Sequence, residues 1–275
     1  MLAAASREAS KATRTRLTEL AAGLPAAAGI AGVADGLFAV VRLLDGAGQL
    51  RRTLADPTTA PDSKKALLDN LLGSQLEPLP MQVLQDAVAQ RWSGARDMVD
   101  GIEVLAVQAR FLVSEADGSL DDVEDELFRF ARIVAHDAEL RAVLTDRALD
   151  ADRKKALLEG LLGERVKPAT LSIVSQLVLT PRGRTLEAGL EEYAALAADI
   201  RSRSVATVTS AVALDAEQQD RLSAALTRSL GRPVQVQVEV DQKVVGGLVV
   251  RVGDEIIDGS TIHRLREARR ALASQ

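Results

Sequence analysis

The chain has 275 residues, 47% hydrophobic and 27% charged, with a net charge of −5. This is a globular composition, long enough for one large domain or two to three small ones, and its acidity disfavours a general polyanion binder. With no cysteine it excludes disulfides, thiolate nucleophiles and Cys-ligated metals, and its two histidines and 2% aromatics disfavour a His-rich metal centre and a base-stacking surface for single-stranded nucleic acid.

The N-terminal stretch MLAAASREASKATRTRL places Arg7 after its small apolar run, the reverse of a signal peptide. The most apolar window, residues 24–44, is interrupted by Asp35 and Arg42, so no membrane span is expected and the chain reads as cytoplasmic. From residue 37 a repeat begins. LFAVVRLLDGAGQLRRTLADPTTAPDSKKALLDNLLG (37–73) aligns without gaps to residues 127–163, with 16 identities in 37 positions. The similarity continues weakly from DMVDGIEVLA (97–106) to TLEAGLEEYA (185–194). A unit close to 90 residues is a small domain, not a solenoid repeat.

Both copies read as helical. Leu127, Phe130, Ala131 and Val134 fall on one helix face, as do Leu157, Leu158, Leu161 and Leu162, with Gly163 placed as a left-handed stop. Asp62 and Asp152, just ahead of the two KKALL runs, are expected to cap those helices. After residue 203 the period changes. SVATVTSAV (204–212) and VQVQVEV (234–240) alternate, with Val234, Val236, Val238 and Val240 on one face. Between them Asp215 and Gln218 form a capping box ahead of a helix stopped by Gly231 and Pro233. LVVRV and EIID follow through a Gly253-Asp254 hairpin turn, and Ser260 caps a last helix. The predicted organisation is mainly α with a small α+β part. Two tandem helical bundles, 1–112 and 113–202, precede a β-α-β-β-β-α domain, 203–275.

Candidate chemistry is sparse. The acidic run DDVEDE (121–126) could hold a cation but reads as a solvated helix N-terminus. Arg182 and Arg184 in TPRGRT (180–185) could clamp a phosphate, but the matching QRWSGARD of the first copy makes this an inter-helix loop and a candidate docking contact. Trp92, the single indole, is a candidate interface residue because Trp is enriched at binding hot spots. It aligns with Arg182, so the position is not a fixed core site of the repeat. His263 lies near Asp258 and Ser260 without the pattern of a nucleophile elbow, and His136 is expected on an exposed helix face. The glycines of GGLVVRVGDEIIDGS (246–260) match neither a phosphate loop nor a dinucleotide fingerprint. No catalytic, cofactor or metal residue is expected.

Order carries more information than reactivity here. DQKVVGGLVVRVGDEIIDGSTIHRLREA (241–268) resembles the signature of the ATP synthase delta subunit family, bacterial relatives of the oligomycin-sensitivity-conferring protein. Asp241, Gly246, Gly247, Gly253, Asp254, Asp258, Gly259, Ser260 and Leu265 fit its slots. The resemblance covers about residues 120–275 and leaves the first bundle as a duplicated N-terminal domain, as in longer actinobacterial-type forms. It implies a non-catalytic stator subunit of the F-type proton-translocating synthase, without cofactor. Its implied partners are the N-terminal helices of alpha subunits and the b subunits. Its implied location is the cytoplasmic face of the cell membrane, as a peripheral part of the complex. The helical domain's likeness in fold to the antitermination factor NusB keeps an RNA-binding module as the alternative.

Overall fold

Leu, Val, Ile and Ala at helical spacing carry the chain through eleven helices before its first strand, within residues 3–24, 28–146, 148–230, 234–241, 247–252 and 255–258, which the computed structural model describes. They are α1 (Ala4–Ala22), α2 (Ala28–Gly46), α3 (Gly48–Ala55), α4 (Pro61–Leu72), α5 (Pro78–Ala89), α6 (Ala95–Ala116), α7 (Leu120–His136), α8 (Ala138–Thr145), α9 (Ala151–Leu162), α10 (Pro168–Leu179) and α11 (Leu186–Ser204). Then come β1 (Val205–Ser210), α12 (Ala216–Leu230), β2 (Gln235–Val240), β3 (Leu248–Val252) and β4 (Glu255–Asp258). Contacts divide the chain into two compact units, Met1–Ala197 and Ala198–Gln275.

In the first unit α3, α4 and α5 recur as α8, α9 and α10 with the spacing of the sequence repeat. Leu37 and Leu127, Leu54 and Leu144, and Leu68 and Leu158 are buried at matching positions; each contributes about 1.5–3 kcal/mol of apolar burial. The α2 and α6 helices pack along each other, α1 lies on α5 and α6, and α10 packs on α7 and α9. The α6 helix also touches α7 and α10. Leu127, Phe130 and Val134 face inward as their spacing predicts, whereas Phe128 is exposed although its counterpart Phe38 is buried.

Several local expectations are corrected. The cap of α9 is Asp150, whose carboxylate accepts from the Asp152 amide at 2.7 Å; Asp152 is already inside the first turn. In the first copy Ala60 occupies the cap and Pro61 opens α4, so Asp62 is likewise internal; Pro suits that position because its missing N–H would be unpaired there anyway. Gly163 is not left-handed: its φ is −20°. Glycine is needed there for space, since a Cβ would stand 2.5 Å from the Glu159 carbonyl oxygen, and at Gly73 2.4 Å from that of Asp69. The acidic run does not precede its helix but fills the first turns of α7. There Glu126 accepts from the Lys167 amide at 2.9 Å and the Thr170 hydroxyl at 2.5 Å, capping α10 from a neighbouring helix. In the first copy the same two positions hold Gly36 and Pro80, so close that a Cβ on Gly36 would lie 2.9 Å from the Pro80 ring. The boundary expected at 112/113 falls inside the continuous helix α6. The one expected at 202/203 falls inside α11, with the compact units dividing at 197/198.

The second unit holds a four-stranded mixed sheet in the order β2-β1-β3-β4. β1 and β2 are parallel, joined through α12; β3 runs antiparallel beside β1, and β4 antiparallel beside β3. Period-2 alternation puts Ala206 and Val208 of β1 and Val250 and Val252 of β3 on the face that α12 covers with Leu226. Asp215 and Gln218 make the reciprocal capping box, at 2.8 and 3.0 Å. Val236 and Val238 align with Ala206 and Val208, but burial fades along this edge strand until Val240 is 56% exposed. The Gly253-Asp254 turn, the stop at Gly231 and Pro233, and the final helix lie outside the described residues.

Candidate functional site

The two turns singled out in the sequence occupy equivalent places and do opposite things. After α5, the Trp92 side chain turns inward: the residue is 3% exposed, and its Nε1 donates to the Ala87 carbonyl at 2.8 Å. Its ring lies on Gly101 of α6, where a Cβ would stand 2.1 Å from it. Trp92 is therefore a packing residue of the first unit and not an exposed anchor. Ser6 of α1 closes over this turn, accepting from the Ser93 amide at 2.9 Å and donating to Asp97 at 2.6 Å.

After α10, Arg182 and Arg184 also turn inward, but toward charge. Both guanidinium groups donate to the carboxylate of Glu103, a fully buried residue of α6. Arg182 also pairs with Asp100 at 2.5 Å. Arg184 also pairs with Glu192 at 3.2 Å, donates to the Tyr193 hydroxyl at 2.9 Å and lies over its ring. Gln176 of α10 donates to the other Glu103 oxygen at 3.3 Å and itself accepts from Arg42 of α2 at 3.3 Å. Arg182 has φ +48° and Gly183 φ +85°, so the turn is left-handed at a residue that ordinarily avoids it. Surrounding contacts have to hold it.

Burial sets the direction at Asp100 and Tyr193, but not at Arg184. It raises the Asp100 carboxyl above its ordinary range against the pull of Arg182 and Arg184. Burial likewise raises the Tyr193 phenol. For Arg184 burial opposes the charge, yet Tyr193, Glu103 and Glu192 outweigh it and the guanidinium is held above its usual value. Neither arginine is free for a phosphate: each is committed to carboxylates within the chain. A half-open cavity of about 1000 Å³ adjoins this turn, lined among others by Arg141, Leu144, Lys154, Leu177, Arg182 and Arg184.

Asp100 and Glu103 were not singled out in the sequence. The available signal was a carboxylate in the otherwise apolar run GIEVLAV (101–107), because a charge on a buried helix face requires partners. His136 is exposed, its Nδ1 2.8 Å from the Arg132 carbonyl. Of the nine signature positions, Asp241 is exposed and its amide donates to the Ser210 carbonyl at 2.9 Å, closing the end of the β1–β2 pair. Gly247 has φ +82°, a conformation glycine adopts without strain. Asp258 pairs with Val249 in the β3–β4 ladder. Gly246, Gly253, Asp254, Gly259, Ser260 and Leu265 lie outside the described residues, as does His263. Among the described residues no cluster of three or more His, Asp or Glu is arranged to hold a metal, and no helix is long and apolar enough to cross a membrane.

Comparison with known proteins decides the affiliation. The pattern of the ATP synthase delta (OSCP) subunit family matches residues 107–272. The chain is 47% identical to the ATP synthase subunit delta of Streptomyces coelicolor, over 98% of both chains. It belongs to the ATP synthase delta (OSCP) subunit family. Another member, the subunit delta of Thermobifida fusca, is 46% identical over 95% of this chain and 98% of its own length. A solved chain from the Toxoplasma gondii mitochondrial ATP synthase hexamer covers 61% of this chain at 22% identity and a TM-score of 0.31. The family pattern begins within α6, so the N-terminal helices up to that point precede it, while the delta relatives named here align along nearly the full length.

Proposed function

We propose that this chain is the delta subunit of an F-type proton-translocating ATP synthase and works without catalysing a reaction, as a stator element of the peripheral stalk. The observation that carries the reading is near-full-length similarity to subunits delta, with the family pattern spanning the sheet unit and the second half of the helical unit. The same observation favours this role over an RNA-binding module. The internal pairing of Arg182 and Arg184 points the same way, since a nucleic-acid footprint needs open cations.

In this reading the helical unit is a duplicated pair of bundles, supported by the recurrence of α3, α4 and α5 as α8, α9 and α10. It grips N-terminal helices of alpha subunits, a helix-in-groove mode suited to apolar helical bundles, and the sheet unit holds the b subunits. Trp92, Arg182 and Arg184 stabilise the helical unit from within. The subunit sits peripherally, at the cytoplasmic face of the membrane. The test is co-purification of the tagged chain with alpha and b subunits, followed by restoration of proton-coupled synthesis to membranes stripped of delta. Failure to bind either partner at micromolar concentration overturns the proposal.

A further inference from the structure

We infer that α6 is shared by the two helical bundles and that the buried cluster on Glu103 locks them into one stiff strut. The inference rests on the duplicated-bundle reading above and adds a mechanical property to it.

Two observations carry it. The first is positional. α1 begins at Ala4 and α6 at Ala95, about one repeat length apart. α1 lies against α5 and closes over the turn at Ser93. α6 lies against α10 and closes over the turn at Arg182 to Arg184. Thus α6 meets α10 and the turn after it as α1 meets α5 and the turn after it, while also packing along α2 as the last helix of the first bundle. A 22-residue helix without interruption serves both, so no linker separates them.

The second observation is the divergence at positions 92 and 182. In the first copy the turn closes on its own bundle through an indole. In the second it sends two guanidinium groups back to a carboxylate of the shared helix, with Arg42 of α2 and Gln176 of α10 joined to the same network. A buried charge cluster of this kind has few alternative arrangements, because breaking it strands charges away from water. The left-handed Arg182 is held by these pairs. Relative rotation of the bundles would have to bend α6 or unpair Glu103. Glu103 acts here as a positioning residue.

The chain has no native cysteine, so two labels report on the two bundles without background. Ser63→Cys and Arg153→Cys stand at exposed, equivalent positions of α4 and α9. Pulsed dipolar spectroscopy on the full-length, doubly spin-labelled chain is expected to give one narrow distance peak. Glu103→Gln is expected to abolish the single peak in favour of a broad distribution, and adding Arg182→Met with Arg184→Met to restore it. If Glu103→Gln is unfolded by circular dichroism, Arg182→Gln is read in its place. A broad distribution in the otherwise unaltered chain overturns the strut. A peak that stays narrow in Glu103→Gln and in Arg182→Gln overturns the locking role of the cluster. Binding to alpha and b subunits is scored separately, so a chain that binds both but shows a broad distribution keeps the proposed function and loses the strut.

Discussion

Replacing Trp92 by Ala separates packing from recognition at the only indole in the chain. Burying an aromatic side chain removes about 150–250 Å² from water, which at about 25 cal/mol per Å² corresponds to roughly 4–6 kcal/mol. A compact unfolded reference reduces this by about 10–40%. The lost Nε1 bond leaves the Ala87 carbonyl without its 2.8 Å partner, about 1 kcal/mol more. Since Gly101 offers no side chain to collapse into the space, little of this is recovered, and the expected destabilisation is about 3–5 kcal/mol. Trp92→Phe, which keeps most of the ring area, should cost about 1–2 kcal/mol. Urea titration followed by far-ultraviolet circular dichroism gives both values. In the parent chain the lone indole reports unfolding of the helical unit alone, starting from the blue-shifted emission of a buried ring. An Ala variant within about 0.5 kcal/mol of the parent, as surface substitutions usually are, would refute the packing argument. So would a native emission already at the wavelength of exposed indole. A variant that stayed stable but no longer bound an alpha-subunit peptide would return Trp92 to the interface.

Four further outcomes follow from the same geometry. Asp150→Ala should lower the stability of the helical unit by about 1 kcal/mol through loss of a cap, while Asp152→Ala should cost less than half of that; comparison of urea midpoints decides which aspartate caps α9. Glu126→Ala should cost about 1–2 kcal/mol and speed hydrogen exchange of the Lys167 amide, and unchanged exchange there would remove the cap from α7's acidic run. Gly101→Ala should destabilise by about 1–3 kcal/mol through overpacking against the indole, with a shifted fluorescence maximum in the native state. For Asp100 the direction is set by burial, which raises its folded-state pKa above the unfolded value. In the window above the ordinary carboxyl pKa the folded chain then holds more protons than the unfolded one, so this group makes stability fall as pH rises. Relative to Asp100→Asn, the parent should therefore lose urea resistance on going from pH 4 upward, and a difference curve of the opposite slope would show that Arg182 and Arg184 outweigh desolvation at this half-exposed side chain.

Local rules were readable wherever the interacting residues are near in sequence. The repeat is carried by identities such as Lys64/Lys154 and Leu68/Leu158, and because core positions of a helix cannot change size freely, the aligned helices keep their bounds. The Asp215–Gln218 box is likewise a three-residue pattern with a single geometric meaning. What stayed hidden depends on distance along the chain. Nothing near Arg182 announces Glu103, 79 residues away, and the burial of Trp92 depends on Gly101 being bare. The caps at Asp62 and Asp152 were misplaced because Asp150, Asp152 and Pro61 all satisfy first-turn preferences, and only backbone angles choose among them. The sheet's alternation predicted the right face of β2, but not that an edge strand leaves Val240 in water. The signature glycines form an ordered pattern in the sequence, and the one among the described residues, Gly247, has a positive φ that glycine adopts without strain.

The paired positions 36/80 and 126/170 carry a consequence for anyone who recombines the two halves. One copy solves the contact between neighbouring helices by bareness, a glycine admitting a proline ring; the other solves it by donation, a hydroxyl and an amide meeting a carboxylate. Each solution is closed on itself. Moving α5 into the place of α10 without its companion would set Pro80 against Glu126, a ring with no proton to give beside an acid that has lost an acceptance role. The reverse graft would press Thr170 toward Gly36, where no acceptor waits. Gene fusions between such copies should therefore cross over outside these pairs, and sequence drift within either copy should be tolerated two positions at a time.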